Sequence, residues 1–230
     1  MNTSRSAATL THAMVLAAGR GERMRPLTDN TPKPLLQVGG QALLDYHLQV
    51  LAGAGVSTVV INVAWRKDKL IQHAGTGERY TLRLRYSDEG DNALETGGGI
   101  LRALDWLGSG HFWVRNGDVY SDAPLVAPPL GPDTLAHLWL VPNPDHNPAG
   151  DFALVDGRVA NEGDSRLTFS GISILHPRLF AGCQRGVFAL APLLRRAADA
   201  GQVTGALLPG IWCDVGTPQR LQALDALLRA

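Results

Sequence analysis

Short apolar runs alternate with amphipathic stretches along the first half of the chain. Residues 13–18 (AMVLAA) form a continuous apolar run closed by Gly19, the pattern of a strand buried on both faces of a parallel sheet. Between residues 41 and 54, Leu43, Leu44, His47, Leu48 and Leu51 recur at helical spacing and predict an amphipathic helix ending at Gly53 or Gly55. Residues 58–63 (TVVINV) read as a second buried strand and residues 66–73 as a short helix. Leu82, Leu84 and Tyr86 alternate with arginines, as in a strand with one wet face. A helix over residues 100–107 then leads to a strand at 112–114. This β-α-β-α-β-α-β order predicts a mostly parallel sheet with helices on both faces, a three-layer αβα sandwich of Rossmann-like α/β type.

The second half changes character. Residues 123–133 are rich in proline, and residues 152–160 read as a hairpin turning at Asp156-Gly157. A long strand over 167–175 (LTFSGISIL), a helix over 191–200, a strand at 211–213 and a final helix over 218–228 follow. Pro218 suits the first turn of that helix, where its missing N–H removes no hydrogen bond. The expectation is a flexible N-terminus over residues 1–12, then one domain over 13–230 with a lid-like excursion at about 123–162.

The chain has 230 residues, 45% of them hydrophobic, and a formal net charge of zero. Bulk electrostatics therefore draw it toward neither nucleic acid nor an anionic membrane, and any phosphate binding must be local. No apolar run reaches the ~18 residues of a membrane span, and none near the N-terminus suits a signal peptide. Cys183 and Cys213 lack paired spacing and read as small hydrophobes in a reduced, cytoplasmic setting.

The chemistry concentrates in LAAGRGERMRPLTDNTPKPLL, which follows the first strand. A dinucleotide fingerprint fails there, because Met24 stands at the third glycine position and Pro26 interrupts the expected helix. A Walker loop fails too, since no glycine precedes Lys-Ser or Lys-Thr. What remains is a proline-stiffened loop at the edge where open α/β sheets bind ligands. Gly19 and Gly21 let backbone N–H groups approach an anion, and Arg23, Arg25 and Lys33 supply positive charge. Pro32 and Pro34 fix the path of the chain on both sides of Lys33. A solvated basic loop is the alternative reading of this stretch alone.

Asp118 (in NGDV) and Asp214 (in CDVGTP) each follow a predicted strand, so both carboxylates are expected at one sheet edge, as a Mg²⁺ site would need. Taken singly, Asp118 also suits a turn and Asp214 a helix cap. Glu95-Thr96-Gly97-Gly98-Gly99 precedes a helix, and its glycines would let a flat ring lie on the backbone. His47, Trp65 and Trp212 read as packing residues or cavity wall.

Taken in order, LAAGRGERMRPLT, TPKPLL, ETGGGI, NGDV, FSGISIL and DVGTP resemble the sugar-1-phosphate nucleotidyltransferases over nearly the whole chain, and ETGGG together with the short length favours their uridylyltransferase branch. The resemblance implies the mixed sheet of that fold. It implies a nucleotide along Ala17, Ala18, Gly19 and Gly21, with Arg25 and Lys33 as catalytic groups on its phosphates. Asn62 would stand on the nucleotide side and Gly97 and Gly98 near the base. Asp118 and Asp214 would hold Mg²⁺, and Glu162 and Gly171 would border the sugar. Many relatives carry a Glu-Lys-Pro segment whose lysine grips the sugar phosphate; here Asn161-Glu162-Gly163 stands near that place.

The implied reaction is uridylyl transfer from UTP to a sugar 1-phosphate, N-acetylmuramic acid α-1-phosphate first among them, releasing pyrophosphate in cell-wall sugar recycling. A monomer is expected, with neither nucleic acid nor membrane as partner. The alternatives are a mannose-1-phosphate guanylyltransferase, a glucose-1-phosphate thymidylyltransferase, or a non-catalytic nucleotide-sugar-binding regulatory subunit.

Overall fold

The computed structural model describes residues 9–90, 92–163 and 165–229. In chain order the strands are β1 (His12–Leu16), β2 (Gln37–Val38), β3 (Gln41–Ala42), β4 (Thr58–Val63), β5 (Arg83–Asp88), β6 (Phe112–Asn116) and β7 (Val119–Ser121), then β8 (Ala136–Val141), β9 (Phe152–Val155), β10 (Arg158–Ala160), β11 (Arg166–Leu175), β12 (Val203–Leu207) and β13 (Trp212–Asp214). The α-helices are α1 (Leu43–Gly53), α2 (Lys67–Ala74), α3 (Glu95–Ala103), α4 (Ala191–Asp199) and α5 (Pro218–Arg229).

Nine strands form one sheet in the order β5-β4-β1-β6-β11-β8-β12-β10-β9, and β9 also pairs with the start of β11. The first four are mutually parallel, as their apolar runs predict. β11 runs antiparallel to both β6 and β8. The C-terminal ends of β1, β4, β6 and β8 therefore meet the N-terminal end of β11 at one edge. β7 and β13 form a separate antiparallel pair, with Asp214 opposite Val119.

Residues alternate between two cores, as a sheet buried on both faces requires. Val15, Val59, Ile61 and Trp113 pack with Leu44, Leu48 and Leu51 of α1 and Leu70 of α2. Met14, Val60 and Val114 face the other way, toward Ile100 of α3 and Leu194 of α4. A third cluster joins Met24 and Leu36 to Val215, Leu221 and Leu224, so α5 seals the loop that follows β1. His47 belongs to the first interface: it is fully buried, and its Nδ1 accepts a hydrogen bond from Nε of Arg115 at 2.9 Å.

Three differences from the sequence expectations have physical causes. Leu10 is buried in the first core, and β1 begins at His12, so residues 9–12 are tied down; residues 1–8 lie outside the described residues. Residues 123–162 do not stand apart as a lid. They contribute β8, β9 and β10 to the sheet, and every residue of β8 is buried. Helix α3 starts at Glu95, so the three glycines lie inside its first two turns instead of preceding it.

Candidate active site

A cavity of about 560 Å³ opens at the C-terminal ends of β1, β4 and β6, within the size range of small-molecule sites. Ala17, Ala18, Gly19, Gly21, Lys33, Asn62 and Asp118 all line it. Segments far apart in sequence thus converge as parallel-sheet topology dictates, because each strand ends at the same edge.

The local geometry explains the motifs. Gly21 adopts φ +64°, and a Cβ there would lie 3.0 Å from the Thr28 methyl and 3.2 Å from the Lys33 Cβ. The chain folds back through Pro32, and Lys33, only 8% exposed, reaches across to place Nζ 2.6 Å from Oδ2 of Asp118. Asn62 Oδ1 accepts the Ala17 N–H at 2.7 Å, while its Nδ2 donates to Glu89 Oε1 at 2.8 Å. Glu89 Oε2 accepts the Leu94 N–H at 2.7 Å, which fixes the start of α3 to the glycine loop. Asn62 therefore stands at the cavity as a scaffold for Ala17. Glu89 lines the cavity as well and carries no motif in the sequence.

Arg25 and the two central glycines lie elsewhere. Arg25 turns outward and pairs with Asp29 at 3.4 Å, while the cavity is lined by Arg20 and Arg23. In a loop without periodicity, a two-residue offset between arginines leaves no trace in the hydrophobic pattern. Gly97 and Gly98 face the segment around Phe188: both their N–H groups donate to the Phe188 carbonyl at 3.0 Å. A Cβ on Gly98 would sit 2.1 Å from the Gly186 carbonyl oxygen. These glycines admit another stretch of backbone, and their N–H groups are taken by it.

Gly171 lies in β11 at φ +78°, where a Cβ would meet the side-chain amide of Asn116, a cavity residue, at 2.7 Å. Glu162 is exposed in the turn after β10 and does not line the cavity; its neighbour Asn161 bonds to α4 through the Arg195 carbonyl and Asp199. Asp214 stands just outside the lining, with Gly216 inside it. The Val215 N–H donates to the Asp118 carbonyl at 2.9 Å, so the two aspartates are neighbours across the β7–β13 pair.

Their carboxylates have separate partners: Asp118 pairs with Lys33, Asp214 pairs with Arg220 at 3.1 Å, and His146 Nε2 lies 3.2 Å from Asp214 Oδ2. No group of three or more His, Cys, Asp or Glu side chains gathers among the described residues. Two hard carboxylates, Asp118 in the cavity lining and Asp214 beside it, fit magnesium, which takes one or two such ligands and completes its octahedron with phosphate oxygens and water.

Cys183 and Cys213 are unpaired, half-buried thiols, and burial raises the pKa of Cys213. No helix among the described residues is long and apolar enough to cross a membrane.

Comparison with known proteins identifies the family and the fold. Residues 12–127 match the nucleotidyl transferase family model. The N-acetylmuramate alpha-1-phosphate uridylyltransferase of Neisseria meningitidis serogroup B is 48% identical over 227 residues, covering 95% of this chain and 98% of that one. The protein of the same name from Caulobacter vibrioides is 38% identical, covering 94% and 96%. A Bacillus anthracis structure assigned as a glucose-1-phosphate thymidylyltransferase superposes with a TM-score of 0.82 at 20% identity, over 94% of each chain, and shares the α/β fold. The chain is a member of the nucleotidyltransferase family of enzymes.

Proposed function

We propose that the chain transfers a uridylyl group from UTP to N-acetylmuramic acid α-1-phosphate, giving the UDP-sugar and pyrophosphate, as a cytoplasmic monomer in cell-wall sugar recycling. The observation that carries this reading is the meeting of the glycine loop, Lys33 and Asp118 in one cavity, in a chain 48% identical, almost end to end, to a uridylyltransferase of that acceptor.

The nucleophile is a phosphate oxygen of the sugar 1-phosphate, already anionic near neutral pH. No side chain is needed to remove a proton, and none among the described cavity residues is a Cys, Ser or His placed as a nucleophile or base. The obstacle is repulsion between two anions, so the protein contributes position and positive charge. The loop over Ala18, Gly19 and Gly21 cradles the triphosphate, with Ala17 held by Asn62. Lys33 neutralises charge at the α-phosphorus, and Arg23 takes over the phosphate role first expected of Arg25. Asp118 and Asp214 would hold Mg²⁺, which, when bound, adds positive charge to the triphosphate and its leaving group. Gly171, behind Asn116, borders the acceptor side.

The test is pyrophosphate release with UTP, CTP, GTP and dTTP against a panel of sugar 1-phosphates. The expected pair is UTP with N-acetylmuramic acid α-1-phosphate. Preference for GTP with mannose 1-phosphate, or dTTP with glucose 1-phosphate, replaces the substrate assignment. Nucleotide binding without turnover of any pair makes the chain a regulatory subunit.

A further inference from the structure

We infer that Arg20, braced by Trp65, is a further phosphate-binding residue of the cavity and grips the pyrophosphate end of the nucleotide. The inference rests on the reading that the cavity takes a nucleoside triphosphate. Arg20 sits between Gly19 and Gly21 and lines the cavity from an exposed position, whereas Lys33 is buried beside Asp118. Lys33 and Arg20 thus mark two depths, Lys33 buried beside Asp118 at the reacting phosphorus and Arg20 toward solvent, with Arg23 also on the lining.

Ordering a long side chain on binding costs affinity. Trp65, on the β4–α2 connection, reduces that cost. The Arg20 guanidinium lies 5.7 Å from the Trp65 ring centroid, within cation–π range. The indole is itself fixed relative to the glycine loop: its Nε1–H donates to the Thr28 carbonyl at 3.3 Å, and the Thr28 hydroxyl donates to the Gly21 carbonyl at 2.8 Å. Arg66 packs on the same ring at 5.0 Å and bonds to Asp29 and Asn30. Ring and loop are therefore one frame. A guanidinium held by a ring keeps its N–H donors in their own plane, the geometry for gripping phosphate oxygens in pairs. Trp65 acts as a positioning residue and Arg20 as the contact.

The experiment is calorimetric titration of inorganic pyrophosphate and of UTP, in magnesium buffer, into the full chain and its Arg20→Ala, Trp65→Ala, Trp65→Phe and Arg20→Ala/Trp65→Ala variants, with a thermal melt of each. Arg20→Ala is expected to weaken pyrophosphate about tenfold, the scale of a lost charged hydrogen bond. Trp65→Ala should weaken it two- to fivefold, the exposed cation–π range. Trp65→Phe should recover most of that loss. The double variant should bind no more weakly than Arg20→Ala, because the tryptophan acts only through the arginine. Multiplying losses in the double variant, or wild-type pyrophosphate affinity in Arg20→Ala, would overturn the inference. If Trp65→Ala melts early, Trp65→Phe and Arg20→Ala decide the matter. Failure of the wild-type chain to bind UTP overturns the triphosphate reading and this inference with it; UTP binding with multiplying losses overturns the inference alone.

Discussion

Lys33 Nζ lies 2.6 Å from Asp118 Oδ2, joining the loop after β1 to the turn after β6. A nearly buried lysine fixed by one carboxylate cannot be removed without exposing that carboxylate's charge to the triphosphate. Lys33→Ala is therefore expected to lower kcat by about 100-fold or more, on the scale of losing one preorganised electrostatic group, with a smaller effect on KM for UTP. Steady-state kinetics at saturating acceptor measures the split; an unchanged kcat would contradict the role.

Asp118→Asn and Asp214→Asn remove one negative charge each from neighbouring positions. Both are expected to raise the magnesium concentration needed for half-maximal rate, and Asp118→Asn also to lower the plateau by orders of magnitude. A magnesium titration of each variant checks this; magnesium curves identical to wild type would separate these aspartates from the metal.

The two arginines of the RMR segment should behave differently. Arg23→Ala is expected to raise KM for UTP at least tenfold. Arg25→Ala should stay within about threefold of wild type, because its partner is the exposed Asp29 on the same loop. Equal losses in the two variants would mean that the loop rearranges around the nucleotide.

Gly98→Ala inverts the usual rule. Alanine normally favours a helix over glycine by ~1 kcal/mol, yet here its Cβ would meet the Gly186 carbonyl at 2.1 Å. The substitution is expected to destabilise the fold by about 1–3 kcal/mol, lowering Tm by several degrees. A rise in Tm would show that the docked segment yields easily.

Stability should fall on mild acidification. Burial lowers the His137 pKa from 6.5 to about 4, so this ring stays neutral in the fold while the unfolded chain takes up a proton. The native contribution is intact above pH 6.5, is lost progressively as pH falls toward 4, and levels off below. The span corresponds to an upper limit of about 3 kcal/mol. His47, fully buried and beside Arg115, is shifted in the same direction. Denaturant unfolding at pH 7.5, 6 and 5 should show the loss, and His137→Gln should flatten it.

The half of the molecule that positions the site is the half that was most legible. β4 lies at the expected residues, and β1 and α1 within two of theirs, because buried parallel strands and amphipathic helices write their periods directly into the chain. β8 was missed: AHLWLV follows a proline-rich stretch and carries a histidine, and only its pairing with β11 and β12 makes it an interior strand. The glycines of α3 read as a loop because propensity disfavours them in a helix. The docked 186–188 segment reverses that balance, and nothing local announces it. Lys33 and Asp118 were recognisable from their flanking prolines and strand-end position. Glu89 and the Trp65 brace were not, since their roles exist only as contacts between distant segments.

The strand that reverses direction, β11, divides the sheet along a seam. On one side stand β5, β4, β1 and β6, all formed before Asp118, and every residue lining the cavity except Gly216 belongs to residues 16–118. On the other side lie the strands of the carboxy-terminal half. A cut along this seam would leave almost the whole cavity wall with the amino-terminal half but remove Gly216 and the neighbouring Asp214, so neither half alone carries the complete proposed site.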